Sequence, residues 1–151
     1  MNIEGYREDG GLVVPAWDHK IAGYLRGTIP HLNLAVSHCK ARRVAVQAGG
    51  NCGLAPRHLS TMFDAVYTFE PDPVSFVALA VNTAENPNVI RFQAALGDMR
   101  RTVGMNHNVK NCGAYYVDGD GILPVMKLDD LVLPACNLIY LDIEGCEMEA
   151  L

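Results

Sequence analysis

A glycine-rich turn and an acidic residue twenty positions beyond it are the first places where this sequence could do chemistry. The turn, Gly49-Gly50-Asn51-Cys52-Gly53, follows the apolar run Arg43-Val44-Ala45-Val46-Gln47 and leads into a helix-like segment, Leu54 to Phe63. Glycines between a buried strand and a helix let backbone approach a ligand closely. The helix N-terminus behind them is expected to offer free N–H groups and partial positive charge. Glu70 closes the next apolar run, Ala65-Val66-Tyr67-Thr68-Phe69. In a doubly wound sheet this places a carboxylate at the C-terminal edge beside the turn, where it can accept two hydrogen bonds from a ribose diol. Asp142 ends a further apolar run, Leu138-Ile139-Tyr140-Leu141, and Glu144 and Glu147 follow it. Carboxylates there suit a proton acceptor near a reacting centre, the cap of a following helix, or a Mg²⁺ or Ca²⁺ site.

The elements that must position these groups follow from apolar patterning. Strands over 43–47, 65–69 and 89–92 alternate with helices over 54–63 and from Asp72-Pro73 onward, with Asp72 as N-cap and Pro73 in the first turn. Phe76, Leu79 and Ala80 supply the apolar face of the second helix. That βαβαβ order with short connections predicts a parallel sheet with helices on its faces. Residues 138–141 add a fourth strand. Ala114–Val117 and Ile122–Met126 flank Asp118-Gly119-Asp120-Gly121, which predicts an inserted hairpin. The segment 97–111 shows no period and, with Asn106, His107, Asn108 and Asn111 in 97–121, is the place for a substrate loop or a solvated insertion. Residues 1–30 read as irregular, with a short strand near Val13–Trp17, and a helix is predicted over 31–40 with Pro30 in its first turn.

The turn and Glu70 fit either a dinucleotide or S-adenosylmethionine. The glycines at 49, 50 and 53 do not spell G-x-G-x-x-G, since Asn51 stands where the second glycine belongs. S-adenosylmethionine has no pyrophosphate to cradle and tolerates an asparagine there.

The motifs in order resemble those of FkbM-type S-adenosylmethionine-dependent methyltransferases. Gln47-Ala48-Gly49-Gly50-Asn51-Cys52-Gly53 is similar to the family's D-x-G-A-N-x-G, and Phe69-Glu70-Pro71-Asp72-Pro73, with Leu79 and Asn82, to its F-E-P-x-P…L…N. Ala95-Leu96-Gly97-Asp98, Leu128-Asp129-Asp130-Leu131 and Leu141-Asp142-Ile143-Glu144-Gly145-Cys146-Glu147 resemble its A-L-G-D, L-D-D-L and D-x-E-G-x-E. The resemblance spans 44–151 and divides the chain into an N-terminal segment, 1–43, and a Rossmann-like S-adenosylmethionine-binding domain, 44–151. It implies an α/β parallel-sheet methyltransferase fold, here with four strands plus the inserted hairpin and without the C-terminal strands.

By that resemblance Gly49, Gly50, Asn51 and Gly53 form the loop under the amino-acid part of the cofactor, S-adenosyl-L-methionine. Glu70 holds the ribose, Pro71 and Asp72 flank the adenosine, and Ala95 and Leu96 wall the adenine. Asp142 lies near the sulfonium, with Asp142 and Glu144 as candidate catalytic residues. Gln47 replaces an acidic residue of the family and faces the cofactor's ammonium without the charge-assisted part of the bond. The implied activity is O-methylation of a sugar or another small-molecule hydroxyl, the acceptor being a small molecule or a glycan. Two readings compete: a non-catalytic binding or assembly module, and a nicotinamide-dependent oxidoreductase.

Composition bounds these readings. The chain has 151 residues, half of them hydrophobic, which is enough for one globular domain with its own core. A net charge of −5 disfavours a nucleic-acid partner, and no apolar run reaches membrane-spanning length. Five widely spaced cysteines without C-x-x-C, and five scattered histidines, predict free thiols in a reducing cytoplasmic setting and no metal site. The apolar strand 138–141, central in a complete sheet, predicts an exposed edge, and with it a fragment, a homo-oligomer or a partner chain through that strand.

Overall fold

The computed structural model describes residues 3–107 and 111–151. The chain opens with a hairpin, β1 (Tyr6–Asp9) and β2 (Leu12–Pro15), and then a long helix, α1 (Ile21–Ser37). The helix predicted over 31–40 therefore begins ten residues earlier, and the stretch read as irregular is mostly ordered. Ile21, Leu25, Ile29, Leu32 and Val36 make one continuous stripe facing the core, which carries the helix through Pro30. The cost of Pro30, one missing backbone bond in mid-helix, is outweighed by that burial. Asp18 starts the helix by accepting the N–H groups of Lys20 and Ile21, both at 2.9 Å.

The following residues build the main sheet: β3 (Val44–Ala48), α2 (Leu54–Ser60), β4 (Ala65–Phe69), α3 (Pro73–Asn82), β5 (Val89–Phe92) and, after an excursion, β9 (Leu138–Leu141). The order is β5-β4-β3-β9, all parallel. This is the Rossmann-like α/β sheet that the alternating pattern predicts. Asp72 caps α3, its carboxylate accepting from Ser75 N at 2.8 Å. The inner face of α3 is Ser75, Ala78 and Leu79, so Ala78 takes the place expected for Ala80 and Phe76 stays half-buried.

Residues of period two divide between the two sheet faces. Ala45 and Val66 pack under Leu32, Val36, Leu59 and Phe63, while Val46, Ala48 and Phe69 pack against Ala94, Leu96 and Ala150. Phe69 and Phe92 stack at 4.7 Å between ring centres. β9 forms one edge of this sheet among the described residues. It is only half-buried, with Ile139 exposed, unlike a strand covered on both faces.

The excursion forms a second sheet of order β6-β8-β7, from β6 (Ala95–Leu96), β7 (Arg101–Asn106) and β8 (Tyr116–Met126). The predicted hairpin is corrected here. Its two arms do not pair with each other but lie in one strand, β8, and both pair with β7, inside the segment that showed no period. Residues 119–122 bulge out between Asp118, opposite Gly104, and Leu123, opposite Val103. Asp-Gly turn chemistry serves that bulge, with Gly119 at φ 60°. Of the residues named in the expected substrate loop within 97–121, Asn106 ends β7, His107 follows it, Asn111 precedes Cys112 of the cavity wall, and Asn108 lies outside the described residues. Residues 142–151 form turns, and Glu147 does not begin a helix: its carboxylate accepts from Ile143 N at 3.1 Å and Gly145 N at 3.1 Å.

No helix of the described residues is long and apolar enough to cross a membrane.

Candidate functional site

Strand register assembles the site. Ala48 pairs with Phe69 on one side and with Leu141 on the other, so the three strands end level. Gly49, Glu70 and Asp142, each the next residue, therefore stand along one edge of the sheet. The chain also reverses direction across the sheet here, since β4 and β5 lie to one side of β3 and β9 to the other. Open α/β sheets form a crevice at such a point. Gly49 is required there: at φ 79°, any Cβ would overlap the carbonyl oxygen of Asp142.

A cavity of ≈ 340 Å³ opens over that edge. Of the residues expected at a site, Gly49, Asn51, Glu70, Pro71, Ala95, Leu96, Asp142 and Glu144 line it. The others sit behind it. Gly50 and Gly53 pack against Leu79, where a side chain has no room. Asp72 spends its carboxylate on the start of α3 and on His107 Nε2, at 3.1 Å. Gln47 is the clearest correction. Its Oε1 accepts from Thr68 Oγ1 at 2.6 Å, and its Nε2 donates to the carbonyls of Ala48 and Gly49 at 3.0 and 2.9 Å. Gln47 lies next to Thr68 in the parallel register, is 1% exposed and does not line the cavity, so it braces the turn from within and does not face an ammonium there.

The turn is likewise self-satisfied. Gly49 N and Gly50 N donate to Phe69 O, Asn51 N to Glu70 Oε2, Cys52 N to Asn51 Oδ1, and Gly53 N to Gly50 O. The N–H groups of these five residues are therefore all satisfied within the chain.

Glu70 is the most perturbed acid of the site. Its Oε2 accepts from Asn51 N at 2.7 Å and its Oε1 from Asp72 N at 2.8 Å. Burial raises its pKa from 4.5 to about 7; the two N–H groups pull it down but do not outweigh that burial, and the Asp72 charge adds to the rise. An ionised carboxylate has about four lone-pair sites, so two donors leave it under-satisfied at the cavity wall. Glu144, at φ 53°, is also raised, by burial first and then by the charges of Asp142 and Glu147.

The rest of the wall comes from segments without a motif. α1 contributes Ile21, Tyr24, Leu25 and Thr28, and a strap before and into β8 contributes Cys112, Tyr115, Tyr116 and Val117. Asp18 ties the two together: its Oδ2 accepts from Cys112 N at 2.9 Å while Oδ1 holds the start of α1. Burial alone would raise Asp18, but the N–H groups of Cys112, Lys20 and Ile21 outweigh it and hold the acid below its ordinary value. Asn51 Nδ2 donates to Cys112 O at 3.3 Å, so turn and strap are joined as well. The signal for α1 was the spacing of Ile21, Leu25, Ile29, Leu32 and Val36. The strap falls inside 97–121, where a substrate loop or a solvated insertion is expected, but no motif singled out its tyrosines.

No family model matches the chain, and no curated protein matches it. Several solved structures are similar to part of it. The 23S rRNA methyltransferase ErmE is 25% identical over 46% of this chain and 28% of that chain, with a TM-score of 0.39. The M. jannaschii TYW2, solved in complex with AdoMet, is 18% identical over 65% of this chain and 49% of that chain, with a TM-score of 0.40. DhpI, solved with SAH, is 17% identical over 51% of this chain and 40% of that chain, with a TM-score of 0.34. The matched region spans less than half the length of each of these proteins.

Proposed function

We propose that this chain binds S-adenosylmethionine along the C-terminal edge of its parallel sheet and acts as an FkbM-type O-methyltransferase on a small-molecule hydroxyl, a sugar's included. One observation carries the reading: Glu70, buried at the end of β4, presents an under-satisfied carboxylate to the cavity beside a turn with no free phosphate-binding N–H groups. A ribose diol supplies the two missing donors. The residues present fit the remainder of the cofactor: Pro71, Ala95 and Leu96 offer an apolar wall for a purine, and Gly49 and Asn51 lie beside the amino-acid end.

When bound, S-adenosylmethionine supplies an electrophilic methyl carbon, and its transfer to a hydroxyl forms a C–O bond as the C–S bond breaks with the electron pair staying on sulfur. The chain's own work is alignment and proton management. Asp142 and Glu144 line the cavity, and Glu144, raised by burial and by its acidic neighbours, is our candidate acceptor for the hydroxyl proton. Isothermal titration with S-adenosylhomocysteine tests the reading. Binding is expected, with Glu70→Ala weakening it by about tenfold or more, the worth of a hydrogen bond to a charged group. No heat from the folded protein, or binding of NAD⁺ in its place, overturns it.

A further inference from the structure

The cavity's charge and its aromatic wall limit what the second substrate can be. Three acidic residues line it, Glu70, Asp142 and Glu144, and among the described residues no lysine, arginine or histidine does. A phosphate or carboxylate on the acceptor would enter against these like charges and would have to be desolvated beside them.

The cavity is also lined by aromatic rings. Tyr24 projects from α1, and Tyr115 and Tyr116 come from the strap. Tyr115 is held in place: Trp17 stacks on it at 6.3 Å between ring centres, and His107 meets it edge-on at 4.7 Å. Burial first, then the charge of Asp72, pushes its phenol up to about 12, so the ring stays neutral across the physiological range. A pre-set neutral ring binds a planar apolar body with little ordering cost and attracts a cation to its face.

We infer that the methyl acceptor is a planar, apolar-bodied molecule that is neutral or cationic, carries no phosphate or carboxylate, and lies against Tyr24 and Tyr115 in the cavity that Asp142 and Glu144 also line. This rests on the proposed function, which gives the nucleoside end to Glu70, and it narrows the acceptor from any small-molecule hydroxyl to a hydroxylated aromatic, most favourably one with an amine.

Titration calorimetry on the full chain tests it with three probes that share a phenol ring: tyramine, cationic; tyrosol, neutral; and 4-hydroxyphenylacetate, anionic. Each is titrated with and without saturating S-adenosylhomocysteine. Tyramine is expected to bind about threefold tighter than tyrosol, the scale of an exposed cation–π contact, and 4-hydroxyphenylacetate about tenfold or more weaker than tyrosol. Tyr115→Ala should weaken tyramine and tyrosol about tenfold and leave S-adenosylhomocysteine unchanged. Tyr24→Ala, at a half-exposed position that the core does not need, gives the same reading if Tyr115→Ala fails to fold. An anionic probe that binds as tightly as the neutral one overturns the inference. So does a tyrosine variant that loses S-adenosylhomocysteine while keeping the probes, since the wall would then belong to the nucleoside. Loss of S-adenosylhomocysteine binding by the wild type, with the probe ranking intact, sinks the proposed function alone.

Discussion

Glu70→Gln separates the cost of burying this carboxylate from the value of its hydrogen bonds. In the folded protein the acid titrates near 7 rather than 4.5, chiefly through burial. Between those values the folded state keeps a proton that the unfolded chain has released, so stability falls as pH rises through that window. At about 1.4 kcal/mol per tenfold change in proton concentration, the full loss is about 3 kcal/mol above pH ~7 and nothing below pH ~4.5. Glutamine carries no such dependence. It also replaces one acceptor oxygen with a donor that confronts either Asn51 N or Asp72 N, a pH-independent cost of about 1–3 kcal/mol. The variant is therefore expected to be the less stable protein near pH 5 and to gain about 2–3 kcal/mol on the wild type by pH ~8. Urea unfolding followed by circular dichroism at several pH values measures this. Asp9, Asp18, Asp130 and Glu147, all held below their ordinary values, stabilise the fold as pH rises through the acid range, but they act equally in both proteins and cancel. Parallel stability curves for the two proteins would refute the reasoning, because they would mean that Glu70 ionises in the fold at no cost.

Two further substitutions test the geometry around the turn. Gly49→Ala should destabilise the fold by about 2 kcal/mol or more in chemical denaturation, since its Cβ meets the Asp142 carbonyl at a left-handed backbone position. Gln47→Asp, which places an acid where the resembled D-x-G-A-N-x-G motif has one, should cost about 1–3 kcal/mol by the same assay and leave S-adenosylhomocysteine binding no tighter, because a shorter anion loses the Nε2 bonds to the Ala48 and Gly49 carbonyls.

What could be read from the sequence was whatever depends on local chemistry and short-range order. The βαβαβ run over 44–92 showed itself through buried strands bounded by glycine and by Asp72-Pro73, and the parallel register then followed from short connections. Glu70 beside the turn followed from the same logic. The misreadings share a cause: each local signal was overruled by a tertiary contact. Pro30 reads as a helix start until the stripe from Ile21 to Val36 is seen to bury as one surface. Asp118-Gly119 reads as a hairpin turn until β7 pairs with residues on both sides of it. Gln47 reads as a ligand contact until its partner on the next strand turns out to be Thr68, whose hydroxyl it accepts. Tyr115 shows in the sequence only as part of an apolar strand within 97–121, because its place at the cavity depends on Trp17, His107 and an Asp18–Cys112 bond across ninety-four residues.

Those long-range bonds explain how the chain divides its labour. The strand ends supply Gly49, Glu70 and Asp142, fixed by sheet register and unable to shift without breaking the ladder. The cavity over them exists only because α1 and the strap are pinned in place. Asp18 holds both, Asn51 ties the strap to the turn, and Asn82 joins Val13 of the hairpin to Cys52 of the turn through bonds of 2.7–2.8 Å. Rigid pinning of this kind sets a side chain's position without fixing its identity. Tyr24 and Tyr116 lie outside those bonds and are substantially exposed, so substitution there changes the wall and leaves the frame intact. On the proposed function, Glu70 and the turn would hold the cofactor while residues of 21–28 and 113–117 would set acceptor preference, so point substitutions in those two segments are expected to change the second without the first.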